Sequence, residues 1–158
     1  MQQKTIDRTL VILILINIAI ALLIFVLSAQ PANVSAPLSS SFTYNVIKPI
    51  LTLAGADEEE IVKVAFSIHG LVRKLAHFGI YFVFGITLKL MYRRLNLKHT
   101  QTVTLITGFL YAFSDEIHQL FVPGRSGELR DILIDFSGVI TGTLFLFIIL
   151  TVLKRCKK

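Results

Sequence analysis

A stretch of twenty residues, from Thr9 to Ser28, contains no charged side chain. A helix rises about 1.5 Å per residue, so a run of this length spans the roughly 30 Å hydrocarbon core of a bilayer. Lys4 and Arg8 precede the stretch, as basic residues precede the apolar core of a signal peptide. Because such cores are only about 7 to 15 residues long, we interpret the stretch as an uncleaved transmembrane helix.

Three further apolar stretches have the length of membrane spans. The composition agrees, since 54% of the side chains are hydrophobic and 16% are charged, whereas about 25% are charged in soluble domains. We therefore predict an all-α integral membrane protein, with residues 1–158 forming a single domain. Its four predicted transmembrane helices cover approximately residues 9–28, 72–92, 103–122 and 132–153.

The segment between the first two spans has a different composition. Residues 29–41 are rich in Ser, Pro and Asn, which is typical of a loop. Apolar groups in residues 42–67 are interrupted by Pro49, Gly55 and the acidic run Asp57–Glu60. Neither half is long enough to cross a membrane. We predict a short amphipathic segment of one or two helices at the membrane interface, the second starting near the acidic run, because carboxylates stabilise a helix N-terminus.

The distribution of charge predicts the orientation of the chain. Basic residues flank the apolar segments and do not alternate with exposed aromatics, so the net charge of +6 does not indicate a nucleic-acid partner. Under the positive-inside rule, both termini and the loop after the second span lie in the cytoplasm. The basic residues of these regions are Lys4, Arg8, Arg93, Arg94, Lys98, Lys154, Arg155, Lys157 and Lys158.

This orientation brings four polar helix ends together at the outer leaflet. A charged side chain near the middle of a bilayer costs at least ~2.5 kcal/mol, so a chain that retains many of them either uses or pairs them. The residues expected to converge are Ser28, Gln30, Arg73, Lys74, His77, Tyr81, Asp115, Glu116, His118, Gln119, Arg125, Asp131 and Asp135.

Helical spacing places these polar groups above small residues on the same face. His77, Tyr81 and Gly85 recur at every fourth position, as residues on one face of a helix do. Gly138 and Gly142 form a GxxxG pattern, which allows transmembrane backbones to approach closely. We expect the helices to pack tightly below a shared polar cluster.

The cluster contains acid and imidazole groups suited to general acid–base catalysis. Asp115 and His118 are three residues apart, as are Glu116 and Gln119, and His77 follows Arg73 by four. His77, Asp115, Glu116 and His118 are therefore the catalytic candidates. The sequence contains no nucleophile elbow, HExxH, Walker or CxxC motif, so it specifies no reaction.

The same residues permit other interpretations. A metal site would use His77, His118 and one of the aspartates, but these lack the spacing of a known metal motif, and we predict no metal and no cofactor. An anionic head group would instead contact Arg73, Lys74 and Arg125. In that case Ser28, Gln30, Tyr81, Gln119, Asp131 and Asp135 are the further binding candidates. A third interpretation is an internal salt-bridge network that pins the helices together.

Four strings together resemble the VanZ-like family. They are SxQ at Ser28 and Gln30, RKxxHFxxY at 73–81, SDExHQxFxPGR at 114–125, and the aspartates Asp131 and Asp135 with Gly138. The resemblance implies a small bacterial plasma-membrane protein that affects susceptibility to glycopeptides such as teicoplanin.

With the polar cluster, the resemblance predicts an extracytoplasmic pocket for an anionic phospholipid or a lipid-linked cell-wall precursor. The alternatives are a membrane-embedded hydrolase or transferase acting on a lipid-linked substrate, and a structural membrane protein.

Overall fold

The computed structural model describes residues 7–156, and this part of the chain folds into five α-helices. They are α1 (Arg8–Ser28), α2 (Ala32–Leu53), α3 (Glu58–Arg94), α4 (Thr100–Gln119) and α5 (Leu129–Cys156). The predicted all-α class is confirmed, since no strand occurs in the described range. Lys4, Lys157 and Lys158, which contributed to the predicted orientation, lie outside that range.

Helix α3 is the central element, because it contacts each of the other four helices. Its buried residues Tyr81, Phe84 and Leu88 form one side of the hydrophobic core. The other buried members of this core are Ile24, Ala112, Ile132 and Val139. Helix α1, by contrast, leaves most of its large apolar side chains exposed, as a helix surrounded by lipid does.

Glycines bring α3 and α5 into backbone contact. A Cβ atom added to Gly142 would lie 2.1 Å from the Phe82 carbonyl oxygen, and one added to Gly138 would lie 2.5 Å from the Phe78 oxygen. The GxxxG spacing predicted such an approach. These two glycines therefore set the distance between α3 and α5 and hold their polar ends side by side.

Three of the described helices are long and apolar enough to cross a membrane, namely α1, α3 and α5. The protein therefore has the character of a multi-pass membrane protein. Helix α4, the predicted span at 103–122, has 20 residues but is less apolar, because it contains four threonines and the Asp115–Glu116 pair. The prediction of four spans thus holds for three helices by length and composition, not for four.

The prediction of a short segment between the first two spans is wrong. Helix α2 is continuous over 22 residues and includes Pro37 and Pro49, which were expected in a loop and at a break. The predicted helix start at the acidic run is present, and the Asp57 side chain accepts a hydrogen bond from the Glu60 backbone N–H at 2.8 Å. That helix is not a short separate element. It continues as α3 for 37 residues, a length of about 55 Å.

Packing explains why α2 forms despite its prolines. Helix α2 contacts α3 and no other described helix, and Thr43 on α2 is buried, as are Ile61 and Ala65 on the first part of α3. Hydroxyl groups also bond to the helix backbone, as where Thr43 Oγ1 donates to the Ser39 carbonyl oxygen at 2.7 Å. Packing against this antiparallel neighbour offsets the backbone hydrogen bonds that the prolines remove.

Candidate functional site

A cavity of about 120 Å³ lies where the polar ends of the helices meet. Its walls come from the start of α2, the middle of α3, the end of α4, the following loop and the start of α5. The lining residues are Ala32, Arg73, Lys74, His77, Gln119, Gly124, Arg125, Ser126, Glu128, Asp131, Ile134 and Asp135. Seven of these were singled out from the sequence as binding or catalytic candidates.

Helical spacing accounts for two of the walls. Arg73 and His77 are four residues apart on α3, and Asp131 and Asp135 are four apart on α5, so each pair lies on one helix face. Because α3 and α5 pack in backbone contact at Gly138, the two faces meet directly above the glycines. The basic and imidazole groups of α3 therefore face the carboxylates of α5.

Arg125 fastens the loop between α4 and α5 to the link between α1 and α2. Its Nε donates to the Gln30 carbonyl oxygen at 3.1 Å, and its Nη2 donates to the Leu27 carbonyl oxygen at 3.4 Å. Its Nη1 donates to Gln119 Oε1 at 3.2 Å. Gly124, just before it, has a φ of +74°, a conformation that favours glycine. Gln30 thus contributes its backbone, not its side chain, to the site.

The three cations of the cavity differ in their partners. Lys74 Nζ lies 2.5 Å from Asp131 Oδ1 and 3.5 Å from Glu128 Oε2. Neither Arg73 nor Arg125 forms a salt bridge with a carboxylate in the described part of the chain. Burial, and then the charge of Arg73, lower the pKa of Arg125, which nevertheless stays protonated at neutral pH. Two guanidinium groups therefore face the cavity without a directly paired acid.

Two buried carboxylates and an imidazole lie together at the inner wall. Asp115 is 5% exposed and Asp135 is 2% exposed. Ser28 Oγ donates to Asp115 Oδ2 at 2.9 Å, and His77 Nδ1 lies 3.7 Å from Asp135 Oδ2. One nitrogen or oxygen ligand atom from each of His77, Asp115 and Asp135 lies within 4.8 Å of the other two. Helices α3, α4 and α5 each contribute one of these residues.

Tyr81 lies one turn after His77 on α3 and is fully buried. Its hydroxyl has no hydrogen-bond partner among the described residues. The hydroxyl lies within reach of the charges of Asp115 and Asp135. An unbonded buried hydroxyl is unusual and costs free energy, so its position calls for an explanation.

Two catalytic candidates occupy other surroundings. Glu116 Oε1 accepts a hydrogen bond from the Glu128 backbone N–H at 2.6 Å and so ties the loop to α4. The His118 ring stacks on Phe25 of α1, with ring centroids 4.4 Å apart, and does not line the cavity. The structure thus brings His77 and Asp115 together. Glu116 and His118 instead make contacts that hold the loop and α1 against α4.

A second polar cluster, which was not predicted from the sequence, lies toward the other end of the bundle. Lys89, inside the predicted span 72–92, is 6% exposed. Its Nζ donates to Gln101 Oε1 at 2.5 Å and to the Thr143 carbonyl oxygen at 3.2 Å. Gln101 Nε2 in turn donates to Thr143 Oγ1 at 3.0 Å. These bonds join α3, α4 and α5, and the only sequence signal for them was a lysine inside a predicted span.

Fold and site define a class: a helical membrane protein with a compact polar cavity at one end of its bundle. The family model described as VanZ/LLP1 matches residues 11–151, nearly the whole chain. The chain belongs to the VanZ-like family, as its motifs indicated. No curated protein and no solved structure matches it significantly.

Proposed function

We propose that this VanZ-like protein binds the anionic head group of a lipid in the cavity, at the extracytoplasmic face of the membrane. The observation that carries the proposal is the pair Arg73 and Arg125, which line the cavity without a salt-bridge partner in the described range. Guanidinium groups suit phosphate oxygens, to which they donate parallel hydrogen bonds. Lys74 plays a smaller part, because Asp131 and Glu128 already neutralise it.

Four helices cross the membrane in this proposal, as one domain. Helix α4 has 20 residues, which matches the roughly 30 Å core. Its polar groups Asp115, Glu116 and Gln119 are buried in the bundle, as intramembrane polar groups generally are. Its exposed large side chains are all apolar and suit lipid: Ile106, Phe109, Leu110, Phe113 and Ile117.

The proposed orientation of the protein in the membrane rests on the basic residues at the end of the bundle opposite the cavity. Asp7 Oδ2 pairs with Arg94 Nε at 2.9 Å, so the start of α1 lies beside the end of α3. Arg93, Lys98 and the last turn of α5 carry further basic residues. The positive-inside rule then places this end and both termini in the cytoplasm of a bacterial cell, and the cavity on the outer side.

The lipid classes that fit are anionic phospholipids and lipid-linked cell-wall precursors, since both present phosphate at head-group depth. Family membership supports a further proposal, that occupancy of the cavity affects susceptibility to glycopeptides such as teicoplanin. The salt-bridge interpretation describes the Lys74 contacts well, but neither Arg73 nor Arg125 has a carboxylate partner in the described range.

Native mass spectrometry of the purified protein tests the proposal. We expect retention of phosphatidylglycerol or a polyprenyl phosphate, and little retention of phosphatidylcholine. Arg73→Gln should lower the affinity for the phosphate lipid about tenfold or more, because a hydrogen bond to a charged group contributes roughly 1.5 to 3 kcal/mol. Arg130→Gln removes the same charge from an exposed position outside the cavity and serves as the control. Equal affinities for parent, variant and control would contradict the anion site.

A susceptibility assay tests the envelope role separately. Expression of the parent protein should change the inhibitory concentration of teicoplanin, and Arg73→Gln should abolish that change while Arg130→Gln preserves it. If the variant binds lipid poorly yet alters susceptibility as the parent does, lipid binding and the phenotype are unrelated.

A further inference from the structure

We propose that His77, Asp115 and Asp135 bind a divalent cation of the zinc or manganese type at the inner wall of the cavity. The three side chains supply one imidazole nitrogen and two carboxylate oxygens, with ligand atoms within 4.8 Å of one another. Three protein ligands with one position left open is the arrangement of many zinc sites that bind substrate or water. Carboxylates also suit manganese, so the donor set fits both ions.

The charges of the described residues favour a cation at this point. Asp115 and Asp135 are buried, and neither has a lysine or arginine at salt-bridge distance in the described range. His77 Nδ1 lies 3.7 Å from Asp135 Oδ2, which is too long for a hydrogen bond. Two carboxylates that close to each other in a buried place repel, and a divalent ion between them removes the repulsion.

The fully buried hydroxyl of Tyr81 is an independent indication of a ligand. It has no protein partner in the described part of the chain, it lies one turn after His77 on α3, and the charges of Asp115 and Asp135 reach it. A water molecule bound to the cation would supply the missing hydrogen bond, as would a carboxylate oxygen drawn toward the ion. Tyr81 would then act as a positioning residue for the ion's ligands.

Neighbouring side chains orient the proposed ligands. Ser28 Oγ and Gln119 Nε2 both donate to Asp115 Oδ2, at 2.9 and 3.3 Å. These bonds fix the carboxylate plane and leave Oδ1 for the cation, in the way that outer partners hold metal-binding carboxylates. They also explain why a serine of α1 and a glutamine of α4 point to the same aspartate.

The site differs from the metal set considered from the sequence. That set included His118, which stacks on Phe25 outside the cavity. In the proposed site, two carboxylates, Asp115 and Asp135, accompany His77, and no second imidazole takes part. His77 and Asp135 line the cavity, so an ion held there would be accessible to a head-group oxygen bound in the cavity. This last contact rests on the proposed lipid function, whereas binding of the cation itself does not.

The test uses the full-length protein in detergent without added lipid, stripped with a chelator and titrated with Co²⁺ and then Zn²⁺. We expect visible Co²⁺ absorption bands that Zn²⁺ removes, about one Zn²⁺ per chain by elemental analysis, and a higher melting temperature with Zn²⁺. His77→Gln and Asp135→Asn should each lower the affinity at least tenfold. His69→Gln, the same change two turns earlier on α3, should leave it intact.

Two outcomes would overturn the metal site. In the first, the parent protein binds neither ion and gains no thermal stability. In the second, His77→Gln leaves the metal affinity unchanged. The first outcome needs no variant, so an unstable variant does not leave the proposal undecided. Lipid binding is measured separately in the presence of chelator. A parent protein that binds metal but no phosphate lipid would contradict the proposed function alone. A parent protein that binds phosphate lipid but no metal would contradict the metal site alone.

Discussion

The Arg125 Nε atom donates to the backbone carbonyl oxygen of Gln30 at 3.1 Å, across 95 residues of sequence. With its bonds to Leu27 and Gln119, this guanidinium joins the end of α1, the end of α4 and the loop that closes the cavity. Arg125 therefore holds the cavity wall in place as well as contributing charge to it.

Arg125→Lys should weaken both stability and anion binding. A lysine keeps the charge, but its ammonium group is a compact donor that does not reach three acceptors arranged for a planar guanidinium. Loss of bonds from a charged donor costs roughly 1.5 to 3 kcal/mol, so the melting temperature in detergent should fall. Arg130→Lys is the matched control at an exposed arginine. An Arg125→Lys protein as stable as the control would show that the three bonds are dispensable.

Lys74→Arg should have a smaller effect on anion affinity than Arg125→Lys, because Lys74 already pairs with two carboxylates.

Gly142→Ala should separate α3 from α5 and destabilise the fold. The added Cβ would lie 2.1 Å from the Phe82 carbonyl oxygen, and backbone atoms do not yield as a flexible side chain does. Overpacking of this kind costs roughly 1 to 3 kcal/mol. Gly79→Ala is the matched control, because a Cβ there meets nothing within 4 Å. Equal melting temperatures for the two variants would contradict the close packing of α3 on α5.

The sequence was sufficient to predict the parts of this fold that depend on local pattern. The uncharged run from Thr9 predicted α1, and the glycines at 138 and 142 predicted close packing of α5. Spacing of four residues placed Arg73 with His77 and Asp131 with Asp135 on common helix faces. Such patterns are visible in one segment at a time, because helical periodicity alone determines them.

Features that depend on contacts between segments were not predictable in the same way. Nothing in the sequence assigns Lys74 to Asp131, or turns His118 onto Phe25 instead of toward Asp115. Helix α2 was missed because its prolines and serines are typical of loops, and only its packing on α3 makes it helical. Lys89 was missed as a buried group because its partners Gln101 and Thr143 come from two other helices.

Lys89→Ala should destabilise the bundle although the residue lies far from the cavity. The change removes the donor to Gln101 Oε1 and the additional donor to the Thr143 carbonyl oxygen, and an unsatisfied buried group costs roughly 1 to 3 kcal/mol. Thermal unfolding in detergent measures the effect, with Lys63→Ala at an exposed position of α3 as the control. Anion binding by the variant should stay normal in the folded fraction. A variant as stable as the control would mean that the lysine turns out of the bundle in the membrane.

The proposed orientation predicts which cysteines react from outside the cell. Ser41 lies exposed on α2, on the outer side, and the native Cys156 lies exposed at the other end of the bundle. In intact cells, an impermeant maleimide should therefore label Ser41→Cys in a Cys156→Ser background. It should label native Cys156 only after permeabilisation. The opposite pattern would place the cavity at the cytoplasmic face.

The most direct test of the anion site is a crystal structure of the protein, from crystals grown in a lipidic mesophase that contains phosphatidylglycerol. We expect density for a phosphate group in the cavity, with its oxygens at hydrogen-bond distance from the guanidinium groups of Arg73 and Arg125. We also expect Lys74 to remain paired with Asp131. An unliganded cavity in which Arg73 and Arg125 turn to form salt bridges with Glu128 or Asp135 would contradict the anion site and establish an internally neutralised scaffold.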